Sequence, residues 1–196
     1  VKDGDYIPNE EYRVKGEEKY GEVREIIKTS KDTIALDTRY ADDRSLYIDL
    51  DEIMGEDVWV RNITYRGHRR DTIGTLELDS KWVQAYIYDL TLDYASDDDE
   101  ISISIGRAEP TVGDNLKKKL KGRGIKSDFI QVSGENFKIG RVKLYIPYRE
   151  SDGRRLKVLR YDEETRLFED VDFTVNKIDS IVEVQSNNPG IFVVVE

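Results

Sequence analysis

From Glu22 onward the chain breaks into short segments rich in β-branched and aromatic residues, each closed by a cluster of Asp, Gly, Ser or Lys. The breaks recur roughly every 8–12 residues, the spacing of strands and turns in an all-β sandwich. The segments are Glu22–Thr29, Thr33–Thr38, Ser45–Leu50, Val58–Tyr65, Thr72–Asp79, Trp82–Tyr88 and Glu100–Ile105, then Asp128–Ser133, Arg141–Tyr148, Arg155–Tyr161, Phe168–Val175, Ser180–Gln185 and Ile191–Val195. In Glu100–Ile105, Ile101, Ile103 and Ile105 share one face while Ser102 and Ser104 take the other, so one sheet face is buried and the other wet. One short helix interrupts the series near 114–121, with Asp114 as N-cap, a body over Asn115–Lys121 and Gly122 as its stop. Crossover helices between the segments are missing, which rules out a parallel α/β fold. The expected fold is therefore all-β: one antiparallel β-sandwich or a pair of them, with a single short helix.

At 196 residues the chain is long enough for one large β domain or two small ones, and either can bury a real core. Hydrophobic residues make up 38% and charged residues 37%, so the surface must be heavily ionic, but the regular alternation of the apolar positions argues against disorder. The formal net charge of −10 disfavours nucleic acid as a partner, because binding along phosphates needs a basic stripe. The one basic run, from Lys117 to Lys126, reads as the solvated face of an amphipathic turn or two, with Leu116 and Leu120 on its apolar side. The chain has no cysteine, which excludes disulfides and thiolate metal sites. The charge-rich, cysteine-free composition suits a thermophile, where ion-pair networks help at high temperature. No apolar run reaches the about 18 residues of a membrane span, so this segment is not expected to insert in a bilayer. Val1 in place of an initiator methionine fits a processed product or an excised piece of a longer chain.

Residues 1–22 hold seven acids and few aliphatic residues, the mark of an extended arm. We read residues 1–71 as this arm plus an N-terminal β region, and residues 72–196 as a β-sandwich. Asp152-Gly153 is expected to form a hairpin-type turn between its flanking segments.

Within the second region, Val142, Leu144, Ile146 and Tyr148 share one strand face, and Pro147 removes a backbone donor where a strand end tolerates it. The run Leu156 to Asp162, then Leu167 to Val171, then Pro189-Gly190-Ile191-Phe192-Val193-Val194 follows; upstream lie Gly74 to Leu78, Val83 to Leu90 and Ile101 to Ile105. This order resembles the β-sandwich stalk modules of surface-layer-anchored bacterial exoproteins, and it is similar to GAIN-like sandwiches and to the archaeal PGF-pre-PGF surface domain. The resemblance covers about residues 72–196 and implies a location outside the cell and a structural role. Some such modules cleave themselves before the last strand with a hydroxyl or thiol nucleophile and a histidine. Here that place reads Ser186-Asn187-Asn188-Pro189-Gly190, without a nucleophile directly before the strand, so an uncleaved module is expected.

The single histidine, His68, sits between arginines with no Ser or Cys partner at motif spacing, and reads as a loop residue rather than a general base. The chain is not expected to be an enzyme, and it names no catalytic or cofactor-binding residue. Asp97, Asp98, Asp99 and Glu100 are hard oxygen ligands that suit Ca²⁺, but they lack the alternating ligands and turn glycine of a calcium loop, so a solvated loop is the simpler reading. Asn62-Ile63-Thr64 is a glycosylation sequon, with alternation that sets Asn62 among the apolar Val58 and Val60. Trp82, Tyr86 and Tyr88 fall at alternate positions and so would share a strand face, either packed or offered to the apolar face of a sugar.

These readings converge on a non-catalytic extracellular structural module, a stalk or spacer of a cell-surface or surface-layer protein, whose partners are the other domains of that protein. Two alternatives stand beside it. One is a self-assembling homo-oligomeric subunit of a surface lattice or filament, built through exposed edge strands and the arm at Tyr12–Glu25. The other is a carbohydrate-binding module serving cell adhesion.

Overall fold

A computed structural model describes residues 25–37, 45–66, 72–92, 100–135 and 137–196. Within them, fifteen strands numbered along the chain form two sheets. The first sheet has eight strands in the order β1 (Glu25–Ser30), β2 (Thr33–Asp37), β4 (Val60–Arg66), β7 (Glu100–Arg107), β8 (Ile130–Glu135), β15 (Gly190–Val195), β11 (Lys157–Asp162) and β12 (Leu167–Asp170). The second runs β13 (Asp172–Asn176), β14 (Ile181–Ser186), β10 (Arg141–Pro147), β6 (Gln84–Leu92), β5 (Thr72–Asp79) and β3 (Ser45–Asp49), with the short β9 (Phe137–Lys138) beside the end of β6. The helices are α1 (Leu50–Met54) and α2 (Pro110–Lys119). The chain is thus all-β and sandwich-like, as its alternation implies.

Alternation sets the inside of the sandwich. In β10, Val142, Leu144 and Ile146 are buried while Lys143 and Tyr145 between them are half-buried on the other face. In β7, Ile103 and Ile105 enter the core and Ser102 and Ser104 do not. One apolar core lies between the sheets, drawing Ile34, Leu46 and Ile63 together with Leu76, Leu144 and Phe192. The sheets and this core cross the boundary expected between residues 71 and 72: β3 pairs with β5, and β4 pairs with β7.

The sheets are mixed, where purely antiparallel pairing was expected. Strand β2 pairs with β4 in parallel, and β3 pairs with β5 in parallel. The cause is the path of the chain, which alternates between the sheets through β2, β3, β4 and β5. Next-but-one strands therefore become neighbours and run the same way.

A second, smaller apolar cluster covers the outer face of the eight-stranded sheet, where Leu116 and Leu120 from α2 and its end meet Leu159, Tyr161, Ile191 and Val193. Strand β15 is consequently buried on both faces, which explains why its sequence is an unbroken apolar run rather than an alternation. The helix begins earlier than expected. Its N-cap is Glu109, without a side-chain cap bond, and Asp114 lies inside it. Pro110 sets the start, because its fixed φ suits the first turn and its missing N–H would have no helical partner there. Gly122, at φ 78°, lies just beyond the end and takes the left-handed conformation expected of a stop.

Two further segments depart from expectation. Asp152-Gly153 does not close a hairpin, because β10 and β11 belong to opposite sheets; the Asp152 carboxylate accepts from Arg154 N at 2.9 Å in a turn that crosses between them. The single strand expected over Phe168–Val175 is two, β12 and β13, with Val171 at the point where the chain changes sheet.

Candidate functional site

The solvent face of the seven-stranded sheet is the part of the fold with the most chemistry on it. Register builds it as a grid. Tyr86 of β6 lies opposite Glu77 of β5 on one side and Lys143 of β10 on the other, and Glu77 lies opposite Tyr47 of β3. In the next row, Gln84 lies opposite Asp79 and Tyr145, and Tyr145 opposite Glu183 of β14. The rings of Tyr86 and Tyr88 stand nearly parallel with centroids 6.3 Å apart, and Tyr145 meets Tyr86 edge-on at 5.9 Å. All three are half-buried.

Hydrogen bonds fix these groups. The Tyr86 hydroxyl donates to Glu77 Oε1 at 2.8 Å, and Gln84 Nε2 donates to the same oxygen at 3.2 Å. Glu77 is buried although it points away from the core, and these donors offset the cost of removing its carboxylate from water. Lys143 Nζ lies 3.0 Å from Glu183 Oε1, and bonding to Glu183 and then to Tyr145 raises its pKa above the usual lysine value. The Arg141 guanidinium covers Tyr88, with 4.4 Å between its carbon and the ring centroid.

At the edge of the grid the Tyr47 hydroxyl donates to Asp79 Oδ2 at 2.8 Å. Burial, then the bond to Asp79 and the nearby carboxylates, push this phenol far above its ordinary value. A raised folded pKa adds stability that is complete below the unfolded value of about 10 and is lost as pH climbs from there toward the folded value. Stability should therefore fall between about pH 10 and the alkaline limit of the fold, and fall less steeply in Tyr47→Phe. Urea melts of both proteins across that range check the slope; equal slopes would remove Tyr47 as the cause.

Of the residues expected to share an aromatic row, Tyr86 and Tyr88 do so and Trp82 does not. Trp82 precedes β6, and its Nε1 donates to the Glu56 carbonyl at 3.3 Å. Its ring packs on the Arg107 guanidinium, whose carbon lies 3.7 Å from the Trp82 centroid and 4.0 Å from that of Trp59. This stack of indole, guanidinium and indole ties the end of one sheet to the end of the other. Tyr145, Glu77 and Lys143 were missed by the sequence reading, although the inward set Val142, Leu144 and Ile146 already implied that Lys143 and Tyr145 face out.

Asn62 shares the outer face of β4 with Val60 and Thr64. Its Oδ1 accepts from Ser104 Oγ at 2.7 Å on the polar outer face of the eight-stranded sheet, while Arg61 and Ile63 point inward. Asp97, Asp98, Asp99 and His68 lie outside the described residues, and Glu100 opens β7. Among the described residues no group of three or more His, Cys, Asp or Glu is arranged to hold a metal ion, and no helix is long and apolar enough to cross a membrane. A separate groove of about 520 Å³ runs beside Arg160, Asp162, Glu169 and Pro189. Arg160 is buried there and donates to the Pro189 carbonyl at 2.7 Å and to Glu169 Oε2 at 2.6 Å, which pins the turn entering β15. Compared with known proteins, the chain matches no family model and no curated protein.

Proposed function

We propose that this chain is a non-catalytic structural module, a rigid β-sandwich spacer of a larger cell-surface protein. The setting of β15 carries this reading. The strand pairs with β8 on one side and β11 on the other, and all six of its residues are buried. A strand held on both edges and covered on both faces cannot peel away one bond at a time, so load along its axis meets both ladders together. Each backbone hydrogen bond contributes only about 1 kcal/mol net, and resistance comes from loading many at once. The Trp59, Arg107 and Trp82 stack joins the two sheets at one end, which supports their response as one body. The surface setting and the stalk role rest on the order of segments in residues 72–196, and the other domains of the parent protein are the partners this reading implies.

Single-molecule pulling through handles at Glu25 and Glu196 tests the proposal. A spacer gives one abrupt rupture that releases both sheets. Gradual extension at low force, or separate release of two halves, would overturn it.

A further inference from the structure

We propose that Tyr86, Tyr88 and Tyr145, with the polar groups around them, form a binding platform for an uncharged polysaccharide chain. The proposal goes beyond the spacer role and does not depend on it, since a module can bear load with or without a ligand on one face.

The two sheets of this protein treat their solvent faces differently. On the eight-stranded sheet, beside the area that α2 covers, the outward residues include Val60 but are mostly polar, with no aromatic cluster among Asn62, Thr64, Ser102, Ser104, Gln131 and Ser133. Such residues satisfy a wet face at no cost in exposed apolar surface. On the seven-stranded sheet the equivalent central positions carry three tyrosines, with the Tyr86 ring centroid 6.3 Å from that of Tyr88 and 5.9 Å from that of Tyr145. Cross-strand packing alone accounts for one such pair, worth up to about 1 kcal/mol. It does not account for a cluster left half-open to water on a face that the neighbouring sheet builds from hydroxyls.

The cluster is also preorganised. The Tyr86 hydroxyl is fixed on Glu77, and Glu77 is held in turn by Gln84. The Tyr145 ring is bracketed by Tyr86 and by the Lys143 ammonium, 5.5 Å from its centroid. A ligand that lies on these rings finds them already immobilised, so little side-chain entropy is lost on binding.

The surrounding chemistry selects the ligand class. A sugar offers an apolar C–H face bordered by hydroxyls that both donate and accept. The platform offers ring area bordered by Gln84, Lys143, Glu183 and Arg141, which together supply donors and acceptors. The cations Lys143 and Arg141 stand among the carboxylates of Glu77, Glu183 and, at the edge of the grid, Asp79, so the face has no positive excess to attract a polyanion. The 6.3 Å spacing of the near-parallel Tyr86 and Tyr88 rings suits consecutive sugar units of an extended chain more than a single monosaccharide, with Tyr145 set edge-on beside them.

The experiment is calorimetric titration of the full chain with cellohexaose, chitohexaose and mannohexaose, read alongside tyrosine fluorescence. At least one of the three should bind in the millimolar range or tighter. Binding should weaken at least tenfold in Tyr145→Leu, which keeps apolar bulk without a ring, and in Tyr86→Ala. Tyr86→Phe, which keeps the ring and loses only the bond to Glu77, should stay within about threefold of the parent. Near-ultraviolet circular dichroism identifies any variant that misfolds, and Tyr88→Leu then replaces it with the same expected loss. Absence of binding by all three oligosaccharides, or binding that survives the ring deletions, would overturn the proposal.

Discussion

Replacing Arg61 by alanine should cost about 3–5 kcal/mol, a large part of the stability of a domain this size. The reason is where β4 puts this side chain. Arg61 is only 1% exposed and points to the same side as Ile63, into the end of the sandwich. Its Nη2 donates to Asp51 Oδ1 at 2.5 Å and to the Gly55 carbonyl at 2.6 Å, joining the eight-stranded sheet to α1 and the turn after it. Asp51 is committed on its other side, where Oδ2 accepts from Lys81 N at 2.6 Å in the β5–β6 turn. One guanidinium thus holds together three segments from both sheets. Removing it leaves a partly buried carboxylate without its counter-charge; Asp51→Ala should be comparably harmful, because it strands a buried cation whose Nε already lacks a partner. The double variant Arg61→Ala with Asp51→Ala should cost clearly less than the two single losses added, since neither charge is then left alone. Denaturant melts of the set measure this coupling. Single losses below about 1 kcal/mol would mean that water reaches the pair and screens it.

The same residue explains what sequence reading reached and what it did not. Alternation in Glu100–Ile105 and Arg141–Tyr148 located the core residues of β7 and β10, because every second position there is apolar and nothing competes. In β4 two patterns compete. Val58, Val60, Asn62 and Thr64 alternate with Trp59, Arg61, Ile63 and Tyr65, and an arginine in the second set makes the first look like the core side. Within β4 the fold turns Arg61 and Ile63 inward, because Ile63 is needed in the core and Arg61 finds a carboxylate at the sandwich end. That carboxylate comes from Asp51, ten positions upstream in another element, and no local pattern announces it.

The tyrosine cluster has a similar origin. Tyr86 and Tyr88 are two apart on one strand, and their shared face was legible. Tyr145 and Glu77 join them only through the register of β10 and β5 against β6, which depends on how the sheet as a whole is assembled. Trp82 fell out of the row because the turn Ser80 to Val83 ends the β alternation before the strand begins: Ser80 Oγ donates to the Val83 carbonyl at 2.7 Å and accepts from Val83 N at 3.2 Å. The change of sheet at Val171 was equally hidden, since β12 and β13 follow each other without any Gly or Pro to mark the break.

Phe192→Ala should be as damaging as the loss of Arg61 and should reveal how many units the chain folds into. Phe192 is fully buried in β15, opposite Ile130 of β8 and Arg160 of β11, and its ring belongs to the core between the sheets. Truncation removes its contacts and leaves a cavity in a strand locked on both edges, which the surroundings cannot refill, at a cost of about 3–5 kcal/mol. That core also contains Ile34, Leu46 and Ile63, far upstream in the chain. A cavity at residue 192 should therefore lower the melting point of the N-terminal strands as much as that of the C-terminal ones. Tryptophan emission from Trp59 and Trp82, at the joined ends of the two sheets, should follow the same single transition as the far-ultraviolet signal of the whole chain, in the parent and in the variant alike. If instead the parent melts in two steps and Phe192→Ala moves only one of them, the strands before residue 71 hold a core of their own, and the pairings of β3 with β5 and β4 with β7 are contacts between separate units rather than the continuous sheets that a rigid spacer requires.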